Sequence, residues 1–312
     1  MPNYQGVWSL SEQYQNASGW PSPPLIGLLV LGNTSAASPS TVIDKVNAAS
    51  LGNGTAFADL SEARNEVGGS ASTTRALFAG GSSTSTIDYT TFATGGTALD
   101  FGDMTIQRSG RGSSNSNNTR SVTNGGYNSG IRVTTMDYVT IATTGNSTDF
   151  GDLTVGRSGT GSFASSTRGI TAGGYDDTNI LNTIDYITIA SAGNATDFGD
   201  LIVPELAGAA FSNATRGIVA GSLTTGFSAI NVIQYVTISS TGNATDFGDM
   251  ISAVDSPAGF AAGDRGIIAG GSGTNVISYI TISATGNAAD FGDLSDTSQY
   301  GAGASSAHGG LS

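Results

Sequence analysis

Five copies of Asp-Phe-Gly-Asp, at residues 100–103, 149–152, 197–200, 246–249 and 290–293, are the chain's most prominent chemical groups. Two carboxylates separated by Phe-Gly could contribute oxygens to a calcium cage. Their spacing matches no calcium-loop pattern, and the pair recurs five times, which favours strand-end hydrogen bonding or pairing with arginine. Nucleophilic and nitrogen- or sulfur-ligated metal chemistry have little to work with. There is no cysteine, and the single histidine, His308, has no evident nucleophile partner. A glycosidase needs a distinctive acid pair, and 24 acidic residues in repeated settings single out none. The expectation is a protein that is not an enzyme, with no cofactor and no assigned metal ligand. Asn146, Asn194 and Asn243 open Asn-x-Thr triplets, and a tight turn accounts for them without a sugar.

These groups are carried by a repeat. A worn copy, Ala56-Phe57-Ala58-Asp59, precedes the five, and the phenylalanines Phe57, Phe101, Phe150, Phe198, Phe247 and Phe291 are 44, 49, 48, 49 and 44 residues apart. A period in this range means a solenoid, propeller or array. Residues 157–203 show what one repeat contains. A small, weakly patterned stretch at 157–162 is followed by Gly169-Ile-Thr-Ala172, which ends at Gly173-Gly174. Residues 184–190, Ile-Asp-Tyr-Ile-Thr-Ile-Ala, alternate apolar and polar with period two, and the Gly193-Asn194 turn leads into residues 195–201. Four short strands per repeat predict an all-β, six-bladed β-propeller. The first blade has strands at 27–31, 42–47 and 55–60 but no first strand. The glycine- and alanine-rich residues 300–312 are left over to supply it. Closure with strands from both ends removes the exposed sheet edges. The domain reading is therefore a propeller over residues 25–312 and a short extension at residues 1–24.

Composition narrows the partners. A formal charge of −13, with 11 basic residues, argues against nucleic acid and against anionic membrane surfaces. No apolar run approaches the roughly 20 residues of a membrane span. No basic segment leads into an apolar stretch, so no secretory leader is expected. The 46 glycines recur in register and read as turn and close-packing positions.

Eight of the ten arginines occupy two repeat positions. Arg75, Arg120, Arg168, Arg216 and Arg265 stand at the start of the second strand; Arg64, Arg108 and Arg157 stand at the start of the first. A planar guanidinium there can bridge carbonyls or the repeated carboxylates within or between blades; a basic ring for a sulfated or phosphorylated ligand is the alternative. The repeated phenylalanines and Tyr89, Tyr138, Tyr186, Tyr235 and Tyr279 read as packing residues.

Arg-Ser-Gly-x-Gly, an apolar strand ending in Gly-Gly-Tyr, Ile-Asp-Tyr, and an aromatic in the fourth strand together resemble the kelch repeat. The double glycines are Gly80-Gly81, Gly125-Gly126, Gly173-Gly174 and Gly270-Gly271, with Gly221-Ser222 degenerate, and phenylalanine replaces the usual fourth-strand tryptophan. The wording Thr-Arg-Gly-Ile-x-Ala-Gly-Gly and Thr-Gly-Asn-Ala-Thr-Asp-Phe-Gly-Asp-Leu resembles the kelch-like proteins of marine tailed phages, cyanobacterial ones in particular. Residues 4–14 resemble the opening segment of other structural proteins of such virions. The resemblance implies a virion surface protein, in capsid or tail, whose partners are other virion proteins.

Residues 1–24 hold both tryptophans, Trp8 and Trp20, with Tyr4 and Tyr14. Large aromatics outside the repeat are expected to dock on a neighbouring protein. The connections between second and third strands differ in length and content: residues 82–86, 127–135, 175–183, 222–232 and 272–275. Variable loops on a regular scaffold are where recognition resides. Tyr127, Tyr175, Asp176, Asp177 and Phe227 combine aromatic faces with polar groups suited to host-surface carbohydrate. A non-viral carbohydrate- or protein-binding propeller is the second reading and a propeller glycoside hydrolase the third.

Overall fold

The computed structural model describes residues 25–109 and 113–311. Six antiparallel sheets, each built on four strands, stand as the blades of a propeller, and the only helix among the described residues is one 3-10 turn, Gly309–Leu311. Blade 4 is representative: Gly161–Ala164, Arg168–Ala172, Thr183–Thr188 and Thr196–Asp200 from axis to rim. Its first strand begins inside the weakly patterned stretch, so Arg157 precedes the strand. Blade 1 takes its axial strand, Ala302–Ser305, from the far end of the chain. That strand lies beside Ile26–Val30, with Val42–Asn47 and Thr55–Asp59 outside. Gly27 stands opposite Ser305 and Val30 opposite Ala302, which is the closure expected from the sequence.

Each strand's composition follows from its distance from the axis. The six axial strands converge and touch in ring order, so they are mostly glycine, alanine and serine, with phenylalanine in three and Asn115 in one. A Cβ on Gly303 would lie 2.1 Å from the Gly259 carbonyl oxygen. The second strands are covered on both sides and are largely buried: Ile26–Val30 is apolar and buried throughout, whereas Arg120–Asn124 is mostly polar but equally buried after its arginine. The core is not a single mass. It consists of six apolar clusters, each filling the gap between one blade and the next.

The Asp-Phe-Gly-Asp motif encodes a β-bulge. In blade 4 the pairing passes from Ile184 opposite Gly199 to Asp185 opposite Asp197, leaving Phe198 as the extra residue, and the other five blades slip at the same place. The bulged phenylalanine turns inward and meets the third-strand tyrosine edge-on, at 5.9–6.1 Å between ring centroids in the five blades that have both. The bulge glycine has φ between +138° and +150° and receives the next blade. In blade 3, Gly193 N–H of blade 4 donates to Phe150 O at 2.7 Å, and Asp152 N–H donates to Asn194 Oδ1 at 3.1 Å. The same two bonds recur at Gly145-Asn146, Gly242-Asn243, Gly286-Asn287 and Gly52-Asn53. The asparagine turns therefore clamp neighbouring blades together. The worn blade 1 copy, with Ala58 in place of glycine, instead pairs in parallel with Gly96–Thr97 of blade 2. A Cβ on Gly151 would lie 2.5 Å from Gly193 O at φ +138°. Gly151→Ala should therefore lower stability by about 1–3 kcal/mol, read as a lower urea midpoint at unchanged slope.

Both arginine sets are consumed by the scaffold. Arg75, Arg120, Arg168, Arg216 and Arg265 lie over the third-strand tyrosines of their own blades at 4.6–5.1 Å. Each also donates to a carbonyl of the following blade: Ile141, Ile189, Ile238, Ile282 and Ala48 respectively. In blade 1, Lys45 takes this role, 4.5 Å over Phe57 and bonded to Phe92 O. Arg64, Arg108 and Arg157, each seven residues beyond a bulged phenylalanine, are fully buried between blades. Their carboxylate partners are not those of Asp-Phe-Gly-Asp but the third-strand Asp88, Asp137 and Asp185 of the next blade. Those aspartates also accept from the backbone of Ser61, Thr105 and Thr154, pinning the chain as it crosses between blades. Blade 5 replaces the pair with Glu205 and Gln234, and burial pushes the Glu205 carboxyl up to about 8.

Candidate functional site

One end of the propeller carries the connections between second and third strands together with the crossings from blade to blade. Three of these connections converge. Tyr127 opens a small hairpin, Tyr127–Asn128 with Ile131–Arg132, which sets Arg132 opposite Tyr127. Tyr175 bridges to Ser158 of the crossing that enters its own blade, as Tyr127 does to Ser109. In blade 5 the stretch 222–232 is not an irregular loop, because Arg216–Thr224 and Ser228–Thr237 continue as a paired hairpin. Phe227 sits at its tip, 58% exposed, with φ +57°.

Tyr127, Arg132, Tyr175 and Phe227 form a ladder across three blades. The Arg132 guanidinium lies 5.1 Å from the Tyr127 ring centre and 4.6 Å from that of Tyr175, and Tyr175 meets Phe227 edge-on at 5.9 Å. Together with Glu66, Ser109 and Ser158 they line an open cavity of about 360 Å³. Arg132 donates through Nε to Ser158 Oγ at 3.3 Å and through Nη1 to Asp177, with which it forms an ion pair. The Tyr175 hydroxyl donates to Asp177 O at 3.1 Å. Asp176 faces its own turn. Its Oδ1 accepts from Asn179 N–H at 2.7 Å and Thr178 N–H at 2.9 Å, and those bonds hold its carboxyl below the usual carboxylate range.

The structure thus brings Tyr127, Tyr175 and Phe227 into one cavity, attaches Asp177 to it through Arg132, and leaves Asp176 outside. Tyr4, Trp8, Tyr14 and Trp20 lie outside the described residues. Arg132 and Glu66 were missed in the sequence reading. The signal for Arg132 was present, since it and Arg111 are the two arginines off the repeat positions. The repeated aspartates have scaffold tasks: Asp59, Asp103 and Asp152 accept hydroxyl bonds from Thr41, Ser85 and Thr134. Among the described residues no group of three or more His, Asp or Glu is placed to hold a metal ion.

At the other end the axial channel is stopped by the chain's last turn. His308 Nε2–H donates to Ala71 O at 2.9 Å and Nδ1 accepts from Gly310 N–H at 3.1 Å, which fixes one neutral tautomer. Ser116 Oγ lies 3.3 Å from Nε2. Burial pulls the imidazole down from 6.5 to about 4, so the unfolded chain takes up the proton first as the medium is acidified. The stability contributed is whole above pH 6.5 and is lost between 6.5 and about 4, amounting to at most about 3 kcal/mol because the ring keeps some contact with water. Thermal melts of His308→Gln and the parent chain should therefore converge as pH falls from 7 to 4.

No family model matches the chain, and no curated protein matches it in sequence. Among solved structures, that described as the structure of YjhT superposes with a TM-score of 0.63 at 11% identity, covering 77% of this chain and 87% of that one. At that identity the likeness shows the shared six-bladed propeller and nothing of function.

Proposed function

We propose that the chain is a non-enzymatic surface propeller of a tailed-phage virion. Residues 1–24 hold it on the particle, and the Tyr127–Arg132–Tyr175–Phe227 ladder binds host-surface carbohydrate. The observation that carries the binding part is the convergence of three aromatic side chains, from three separate blades, on one open cavity. Exposed rings of this kind stack on the apolar faces of pyranoses, while the Ser109 and Ser158 hydroxyls and the guanidinium edge meet sugar hydroxyls. The virion part is supported by the resemblance of residues 4–14 and of the repeat wording to phage structural proteins, and by the two tryptophans set outside the repeats.

The experiment is glycan-array binding of the whole chain and of the Tyr127→Ala/Tyr175→Ala/Phe227→Ala variant, with matched circular dichroism. Loss of one anchor of about 2 kcal/mol weakens binding roughly thirtyfold, so the triple variant should fall to background. Binding that survives would remove the cavity from the proposal. Particles assembled with a chain lacking residues 1–24 should contain none of it; normal incorporation would dismiss that segment as the anchor.

A further inference from the structure

We infer that the cavity selects neutral, hydroxyl-rich saccharides over acidic ones, and that Asp177 sets this selectivity. The inference rests on the carbohydrate reading above and adds the ligand's charge.

An arginine in a sugar site ordinarily suggests a carboxylate or sulfate ligand, because the guanidinium fork matches those groups. Here two of the three guanidinium nitrogens are already engaged. Asp177 is ion-paired at Nη1, Ser158 holds Nε, and the Tyr127 and Tyr175 rings both lie against the guanidinium. Asp177 is itself held in place. Its backbone is in the left-handed region at φ +84°, its carbonyl takes the Tyr175 hydroxyl, and the Asp176 turn braces the following residues. A second carboxylate, Glu66, lines the same cavity. An acidic sugar would therefore meet a guanidinium already paired with Asp177, in a cavity that Glu66 also lines, on a chain of charge −13. A vicinal diol meets no such opposition. One hydroxyl accepts from the guanidinium edge and its neighbour donates to a carboxylate, which is the exchange a neutral pyranose provides. The arginines that could have formed a second anion site lie over tyrosines and bond the next blade, so they offer no ring of free charge.

The test compares neutral hexose oligomers with uronic-acid and sulfated oligomers of equal length at about 0.15 M salt, using the whole chain. The parent protein should bind neutral oligomers at least about tenfold more tightly than acidic ones. Asp177→Asn keeps the side-chain shape, and asparagine accepts the left-handed backbone, so the loop should persist. It should shift the neutral-to-acidic affinity ratio about tenfold toward acidic oligomers. Glu66→Gln, on a different crossing, should shift selectivity the same way and serves if the first variant melts early. A parent protein that prefers acidic oligomers overturns this inference and leaves the carbohydrate reading standing. No binding to any saccharide brings down both. Unchanged selectivity in Asp177→Asn and Glu66→Gln alike overturns the inference as well.

Discussion

Deletion of residues 300–312 should abolish the single cooperative unfolding transition and leave a protein that aggregates. Ala302–Ser305 is the axial strand of blade 1, and without it the buried apolar strand Ile26–Val30 presents an unpaired edge. More than one ladder is lost. Gly303 packs against the carbonyl of Gly259 on one side and sets its own carbonyl against Gly69 on the other, and Ala304 belongs to the cluster joining blades 1 and 2. The ring would then open between blades 6 and 2. The expected loss exceeds about 5 kcal/mol, comparable to the whole stability of many domains. Calorimetry and sedimentation would read it. A peptide of residues 300–312 added in trans should restore part of the transition by strand addition. An unchanged melting curve would refute this account of closure.

Asp137→Ala should cost about 3–5 kcal/mol, since it leaves the Arg108 guanidinium buried without its countercharge. Arg108 is 1% exposed, donates to Gly125 O and Thr135 O at 2.8 Å, and is ion-paired to Asp137. Burial lowers the guanidinium's pKa and the Asp137 charge opposes that shift. Thr105 would lose its acceptor at the same time. The pair is not an optimum, however, because Arg108 Nε has no acceptor among the described residues. Replacing both partners together, as Arg108→Met/Asp137→Leu, should recover most of the loss. Chemical denaturation of the two variants decides the matter: a double variant no better than the single would mean the pair's charge is not what the site requires.

The blades were legible because Asp-Phe-Gly-Asp marks a backbone event, a bulge with a left-handed glycine, that few sequences satisfy. The period-two pattern of Ile184-Asp185-Tyr186 located the third strand but not the burial of its carboxylate. Asp185 shares a face with Ile187, and because neighbouring blades cover both faces of the sheet it is 1% exposed. Its partner, Arg157, lies 28 residues away in sequence, and no local pattern announces that pairing. At the cavity the aromatics were visible as departures from the repeat. Arg132 was visible in the same way but was overlooked beside eight arginines in register. The hairpin at residues 222–232 carries strand-favouring Thr224, Phe227, Ile230 and Val232 around Gly226, a signal passed over because the stretch differs in length from the other connections.

The clamps between blades and the candidate cavity occupy opposite ends of the molecule. Each Gly-Asn turn grips the neighbouring bulge at one end, while the connections of differing length project at the other. A substitution at Tyr127, Tyr175 or Phe227 therefore touches none of the Gly-Asn contacts that hold the ring shut. The exposed connections are thus mechanically separate from the Gly-Asn clamps, so their side chains can change without loosening the contacts that join blade to blade at the far end.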